Sequence, residues 1–236
     1  MGTALIVGGS TGVGLETARQ LLGKAYAAHV TGRDAGRLAK AAEEVPGVLT
    51  HRVDATDADA MGRLGAGIGP VDVLVLTATG RGGAGTVDSL DLAAVRSALD
   101  GKLFAHLTAV QALLPHLAED ASITFVSAAS ARAALPGTAG LAAVNGAIEA
   151  MVRPLAVELA PRRVNAVSPG VVDTEWWSAM PDPDRRAYFE ATAAVLPSRQ
   201  VATADQVAET IVLVATNRNI AGTVLEADGG ARLVSA

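Results

Sequence analysis

Short apolar runs alternate with longer helical patterns from one end of the chain to the other. "TALIV" (3–7), "AAHVTG" (27–32), "VLTHRV" (48–53), "VDVLVL" (71–76), "SITFVS" (122–127) and "RVNAVS" (163–168) are brief and apolar, as strands buried on both faces are. Helical stretches fill the gaps at 12–24, 34–45, 57–68, 88–118 and 139–160, and a last one at 204–216 leads into "GTVLEADGG" (222–230). This alternation predicts an α/β fold: a single-domain, Rossmann-type, doubly wound parallel sheet of about seven strands. No linker or repeat interrupts residues 1–236. The one long irregular insertion is predicted at 171–200, before the last helix; it holds both tryptophans and three of the ten prolines.

Composition narrows the partners. The net charge is −5 without a basic cluster, which argues against a nucleic-acid or anionic-membrane partner. With no cysteine and four scattered histidines, neither a thiolate metal site nor a disulfide framework is expected. "ALIVGG" is too short for a signal peptide or a membrane span, so a soluble cytoplasmic protein is expected. The stretch 139–160 is apolar almost all round, and "LFAHLTAVQALLPHL" (103–117) has the same character. A helix packed on a sheet needs only one apolar stripe. The surplus predicts burial by a second copy, in a homotetramer or homodimer; the bland alternative is an Ala-rich surface helix.

"LIVGGSTGVGLETARQLL" places Gly8, Gly12 and Gly14 directly after the first strand, where the next helix opens. A chain that must turn sharply and approach a pyrophosphate at a helix N-terminus needs small residues there. The Gly-x3-Gly-x-Gly spacing resembles that of the short-chain dehydrogenase/reductase family, and the resemblance extends over nearly the whole chain. It implies that Ser10 and Val13 line the loop and that Asp54 and Ala55 of "HRVDATD" meet the adenine, with Asp54 on its amino group. "LVLTATG" stands where the family has Asn-Asn-Ala-Gly: Ala78 is kept, while Leu76 and Thr77 replace the asparagines and weaken support for the central strand. In "VNAVSPGVVDTEWW", the resemblance places Pro169, Gly170, Val172 and Thr174 around the nicotinamide.

Charge at the end of the second strand, "VTGRD", points to the cofactor type. An acidic residue at that tip favours NAD(H) by bonding a ribose 2′-hydroxyl. Gly32 holds the tip and Arg33 follows. A guanidinium suits a 2′-phosphate, and Ser10 can add a bond, so NADP(H) is expected over NAD(H). Alternatively Arg33 stacks on the adenine or pairs with Asp34.

The family's catalytic residues are absent. Aligned through "AIEAMVRPLAVELA", the tyrosine position is Leu141 and the lysine position Asn145. Thirteen residues before Leu141, the serine position is Ala128, with Ser127 beside it; the asparagine position falls on Lys102. Leucine has no proton to exchange, so carbonyl reduction by a tuned tyrosine cannot operate. Asparagine and lysine have, however, traded places between two neighbouring helices. The reciprocal swap suggests that an ammonium and an amide are both still used beside the nicotinamide ribose. Lys102, Ser127 and Asn145 are therefore the candidate catalytic residues. Lys102 would contact the ribose or, with its pKa lowered by burial, donate a proton. The opposing reading is a decayed site in which Lys102 reaches solvent.

Other polar residues read as local structure. Ser127, Ser130 and Thr138 could hydrogen-bond a ligand, although such residues near strand ends more often cap; Asp173 and Glu175 could serve as a general base, although at the start of the insertion they more often cap its first turn. His106 and His116 suit an interface or solvent, "DPDRR" (182–186) a solvated helix start, and Tyr26 the core. Tyr188, in the insertion, is the remaining candidate for a substitute proton donor. Three functions fit: an NADP(H)-dependent oxidoreductase acting on a small molecule such as a quinone, enone or iminium; a non-redox isomerase or cyclase; or a nucleotide-binding sensor or assembly protein.

Overall fold

The computed structural model describes residues 2–80 and 82–234. In chain order its strands are β1 (Thr3–Val7), β2 (Ala27–Gly32), β3 (Leu49–Arg52), β4 (Val71–Leu76), β5 (Leu117–Val126), β6 (Arg163–Pro169), β7 (Val172–Asp173), β8 (Ala202–Thr203) and β9 (Val224–Ala227). Its α-helices are α1 (Gly12–Gly23), α2 (Ala35–Glu44), α3 (Ala58–Ile68), α4 (Leu92–Leu99), α5 (Ala105–Leu113), α6 (Ala139–Glu158), α7 (Asp182–Val195) and α8 (Ala204–Thr216). Seven strands form one sheet in the order β3-β2-β1-β4-β5-β6-β9, and each neighbouring pair is parallel. This is the doubly wound arrangement, whose crevice lies at the carboxyl ends of the strands where the order reverses, beside β1 and β4.

The period-two alternation of the central strands divides the core. Ala4, Ile6, Val73 and Val75 point to one face and pack with Leu15 and Leu21 of α1, Leu38 of α2 and Ile211 of α8. Leu5, Val7, Leu74 and Leu76 point to the other and pack with Met61 of α3, Leu113 of α5 and Ile148 and Val152 of α6. Side chains of this size contribute roughly 1.5–3 kcal/mol each when fully buried. Aspartates start three of the helices: Asp34, Asp57 and Asp91 accept from backbone N–H groups in the first turns of α2, α3 and α4. Asp34 is therefore a cap rather than a partner for Arg33.

Two stretches differ from the sequence reading. Residues 171–200 are not irregular: they hold β7, a 3-10 turn at Glu175–Trp177 and the 14-residue helix α7. β7 pairs with β8 in a small parallel ladder. "DPDRR" does start a helix, as its sequence suggests, but the weak apolar spacing of the rest of α7 gives no sign of how far it runs. The stretch read as one helix over 88–118 is instead α4 and α5 joined through a π-helical segment, Asp100–Phe104. Such segments are frequent at functional sites, and this one carries Lys102.

The helix α6 is long and apolar enough, by length and composition, to cross a membrane. Val144, Ile148 and Val152 are buried within the domain. Met151 and Leu155 pack against the same core but remain partly exposed. Val157 of α6 (82% exposed) and Phe104 of the π-helical segment (52%) are among the large apolar side chains left exposed.

Candidate active site

The glycine loop forms a tight cradle. Gly8 has φ +87°, and a Cβ there would lie 2.6 Å from the Ala78 backbone nitrogen. A Cβ on Gly14 would lie 2.6 Å from Thr77 Oγ1, and one on Gly12 would meet the Thr174 methyl at 3.3 Å. Any side chain at Gly8 or Gly14 would close the approach of β1 to β4. Loop, Ala78 and Thr174 thus surround one groove at the start of α1, where unpaired N–H groups and the helix dipole favour an anion. Val13 packs on the core beside this groove, and its carbonyl accepts from Thr17 Oγ1 at 2.7 Å. Thr77 compensates for the missing asparagines, because its N–H and hydroxyl both donate to the Val7 carbonyl, at 2.9 and 3.0 Å. The central strand is therefore supported by another route than the sequence suggested.

At the β2 tip, a Cβ on Gly32 would lie 3.0 Å from Ser10 Oγ, so Ser10 and Arg33 flank the same corner. Arg33 is largely exposed and makes a loose ion pair, 3.9 Å, with Asp54. Asp54 also accepts from the N–H and hydroxyl of Thr56, at 3.0 and 2.8 Å. Burial opposes ionisation of Asp54, but these bonds and Arg33 together hold its carboxyl below the usual range. Ala55 is buried behind it. At the far end of the groove Pro169 closes β6, and the Gly170 N–H donates to the Ala227 carbonyl at 3.3 Å. Val172 lies in β7, and Thr174 accepts from the Trp176 N–H at 3.4 Å. The residues at this cradle fit a dinucleotide: glycines that let β1 approach β4 closely, a helix start suited to a pyrophosphate and an exposed guanidinium, only loosely paired with Asp54, at the β2 tip.

Lys102 does not reach solvent; it is 7% exposed. Its Nζ donates to Asn145 Oδ1 at 2.6 Å and to the Ser127 carbonyl at 3.3 Å. Burial pushes the ammonium down to about 8, against an opposing pull from Glu149. The three candidate catalytic residues therefore form one cluster. Asn145 is fully engaged: its Nδ2 donates to the Leu141 carbonyl at 3.0 Å and to Ser130 Oγ at 3.1 Å. The Ser127 hydroxyl is not a cap. It donates to Glu149 Oε1 at 2.8 Å. Glu149 also accepts from Arg132 Nε at 2.7 Å, and Arg132 continues to Glu226, which Arg232 joins at 2.8 Å.

His106 also departs from the sequence reading. It is fully buried rather than at a surface, and its Nε2 lies 2.8 Å from the Ala78 carbonyl. Burial, with the Lys102 charge second, pushes its imidazole down to about 3. The neutral ring therefore donates through Nε2 to Ala78, since a carbonyl only accepts. The π-helical segment turns Lys102 inward and His106 follows one turn later on the same face. Spacing alone could have paired them; nothing in the sequence indicated that the face was interior.

The insertion supplies an aromatic wall. Trp177 packs edge-on against Trp176 and Phe189 and at a tilt against Tyr188, with ring centroids 4.7–5.8 Å apart. Trp177 Nε1 also donates to the Val172 carbonyl at 2.9 Å. Glu175 is not a cap either; it pairs with Lys40 of α2 at 3.3 Å and so ties the insertion to the adenosine side of the groove. A separate hollow of about 240 Å³, lined by Val171, Leu196, Gln200 and Asp228 among others, touches none of Lys102, Ser127 and Asn145.

Comparison with known proteins identifies the family. A family model described as enoyl-(acyl carrier protein) reductase matches residues 7–232. The short-chain dehydrogenase/reductase ATR9 of Stachybotrys chlorohalonatus is 31% identical, over 97% of this chain and 96% of that protein. A small-chain dehydrogenase solved in complex with NADPH is 30% identical and superposes with a TM-score of 0.83 over 99% of each chain. An NADPH-bound short-chain oxidoreductase from Pseudomonas aeruginosa, described as containing an atypical catalytic center, is 26% identical with a TM-score of 0.88, over 97% of this chain and 96% of that one. The chain belongs to the short-chain dehydrogenase/reductase family of oxidoreductases.

Proposed function

We propose that this protein is an NADP(H)-dependent oxidoreductase that works without a catalytic tyrosine. The observation that carries the reading is the buried contact between Lys102 and Asn145, 2.6 Å long. A decayed site has no reason to keep an ammonium out of water, where desolvation costs several kcal/mol. NADP(H), when bound, supplies or accepts the hydride. Arg33 and Ser10 would hold the 2′-phosphate and set the preference over NAD(H); the glycine loop would hold the pyrophosphate, and Ala78, Pro169, Gly170, Val172 and Thr174 would border the nicotinamide. The NADPH complexes of the two structural relatives support NADP(H) as the cofactor.

The protein's own residues deal with charge. An acceptor oxygen gains negative charge as hydride reaches the conjugated system, and the Lys102 ammonium, fixed in advance by Asn145 and Ser127, stabilises it. Its proton comes from Lys102 or water. A quinone or enone fits this field. An iminium does not, because a buried ammonium repels a second cation. The substrate is a small molecule handled in the cytoplasm, held between residues 128–140 and the aromatic wall. The working unit is a homodimer or homotetramer that covers Phe104 and Val157. The experiment is a screen of NADPH oxidation over quinones, enones, iminium salts and simple ketones. Turnover confined to the first two classes supports the reading; binding of NADPH without turnover of any acceptor contradicts it.

A further inference from the structure

The hydrogen-bond chain that begins at Lys102 fixes the direction of a hydroxyl at its other end. An ammonium only donates, so the Asn145 side-chain oxygen must face Lys102. The Leu141 carbonyl only accepts, so the Asn145 nitrogen must face Leu141. Both constraints exclude an amide flip. Two N–H groups remain on that nitrogen, one for Leu141 and one for Ser130 Oγ. Ser130 is thereby an acceptor from Asn145, and its own hydrogen must point elsewhere. Among the described residues, no group accepts that hydrogen. Ser130 sits in the 3-10 turn Ala129–Ala131, just past the carboxyl end of β5, makes no cap there and is partly exposed.

We propose that Ser130 is the substrate-orienting hydroxyl of this site, donating to the acceptor oxygen of a quinone or enone. The residue that would ordinarily supply such a hydroxyl is absent, since position 128 is alanine. Ser130 lies two residues further on and is held by the amide that holds the ammonium. The chain Lys102–Asn145–Ser130 runs from a charge through a polarisable amide to a hydroxyl, so each bond strengthens the next. The oxygen at its end receives a stronger donor than an isolated serine would supply. This rests on the redox reading above and adds the residue that contacts the substrate.

The test uses the NADPH-loaded protein and 9,10-phenanthrenequinone as acceptor, at saturating NADPH. Ser130→Ala should lower kcat by about 100-fold with a smaller change in KM, as expected for a donor to a developing oxyanion. Ser130→Thr, which keeps the hydroxyl, should restore most of the rate. Asn145→Asp is the discriminating variant. An aspartate accepts from Lys102 and from Ser130 alike, so it turns the hydroxyl inward and should reproduce the Ser130→Ala loss with Ser130 still present. Wild-type rates in Ser130→Ala, or in Asn145→Asp, would overturn the proposal. A wild type inactive toward every acceptor contradicts the redox reading alone. Neutron diffraction of the deuterated protein then decides: deuterons on Asn145 Nδ2 facing Ser130 sustain the free donor, and a Ser130 deuteron directed at Asn145 overturns it.

Discussion

Lys102 and Asn145 touch: the lysine's Nζ is 2.6 Å from the asparagine's Oδ1, across the boundary between the π-helical segment and α6. The ammonium is buried and faces two neutral oxygens, and the carboxylate of Glu149 is one residue removed through Ser127. Such a cation is poorly solvated and close to losing its proton, a state rare in cores and common in active sites.

The pH dependence of turnover should report this lysine. Burial lowers its pKa to about 8, so the ammonium is present below that value and lost above it. Turnover should fall as pH rises through about 8. Lys102→Met keeps the length of the side chain and removes the charge; it should lower kcat by about 100-fold and abolish the limb near pH 8. A limb that survives in Lys102→Met belongs to another group.

Arg33 should set the cofactor preference. Its pairing with Asp54 is exposed and long, and such pairs are worth no more than about 1 kcal/mol, so a 2′-phosphate displaces the carboxylate at little cost. Arg33→Ala should weaken NADPH by about 1.5–3 kcal/mol, or 10- to 150-fold, and leave NADH nearly unchanged. Calorimetric titration of both cofactors checks this, and equal wild-type affinities would remove the assignment.

Acid should destabilise the fold through its histidines. Burial and then the His51 charge lower the pKa of His29, burial lowers that of His51, and His106 is pushed down to about 3. Each imidazole is held neutral in the folded state and titrates near 6.5 when unfolded. The stability they contribute is complete above pH 6.5 and is lost as pH falls toward the folded pKa. The loss is at most about 1.4 kcal/mol per pH unit for each histidine. Urea unfolding at pH 7.5 and 5.5 should show the drop, and His106→Leu should reduce it. An equal drop in His106→Leu would show that His106 does not contribute.

Assembly should depend on the side chains left uncovered rather than on those packed inward. Met151 and Leu155 lie against the core, whereas Phe104 and Val157 do not. Light scattering should give a multiple of 23.7 kDa for wild type and the single-chain mass for Phe104→Glu with Val157→Glu. A wild-type mass of one chain would contradict the assembly.

What could be read without coordinates was what depends on short-range pattern. The strands follow from runs of valine, leucine and isoleucine, and the cradle from three glycines whose missing side chains leave its space. Lys102 is singled out because the family resemblance puts an asparagine within "LDGKLFAHL", where this chain has a lysine. The rest depends on contacts distant in sequence. Glu149 reads as one more polar position on α6 until Ser127 and Arg132 are seen to converge on it. His106 carries no mark that distinguishes an interior face from a surface one. The bonds that orient Ser130 join residues 15 and 43 positions apart, and no local pattern encodes them. The histidine pair on β2 and β3, with Nδ1 of His29 2.9 Å from Nε2 of His51, was hidden for the same reason.

On the proposed reading, hydride moves on this scaffold without a tyrosine. The most direct measurement is isotope transfer from NADPH deuterated on the nicotinamide C4, with wild type and with a variant carrying Ala128→Ser, Leu141→Tyr, Asn145→Lys and Lys102→Asn. Wild type should carry deuterium to a quinone or enone and not to a simple ketone, and the fourfold variant should gain the ketone. Deuterium in no product from either protein, with NADPH binding intact, would contradict the account.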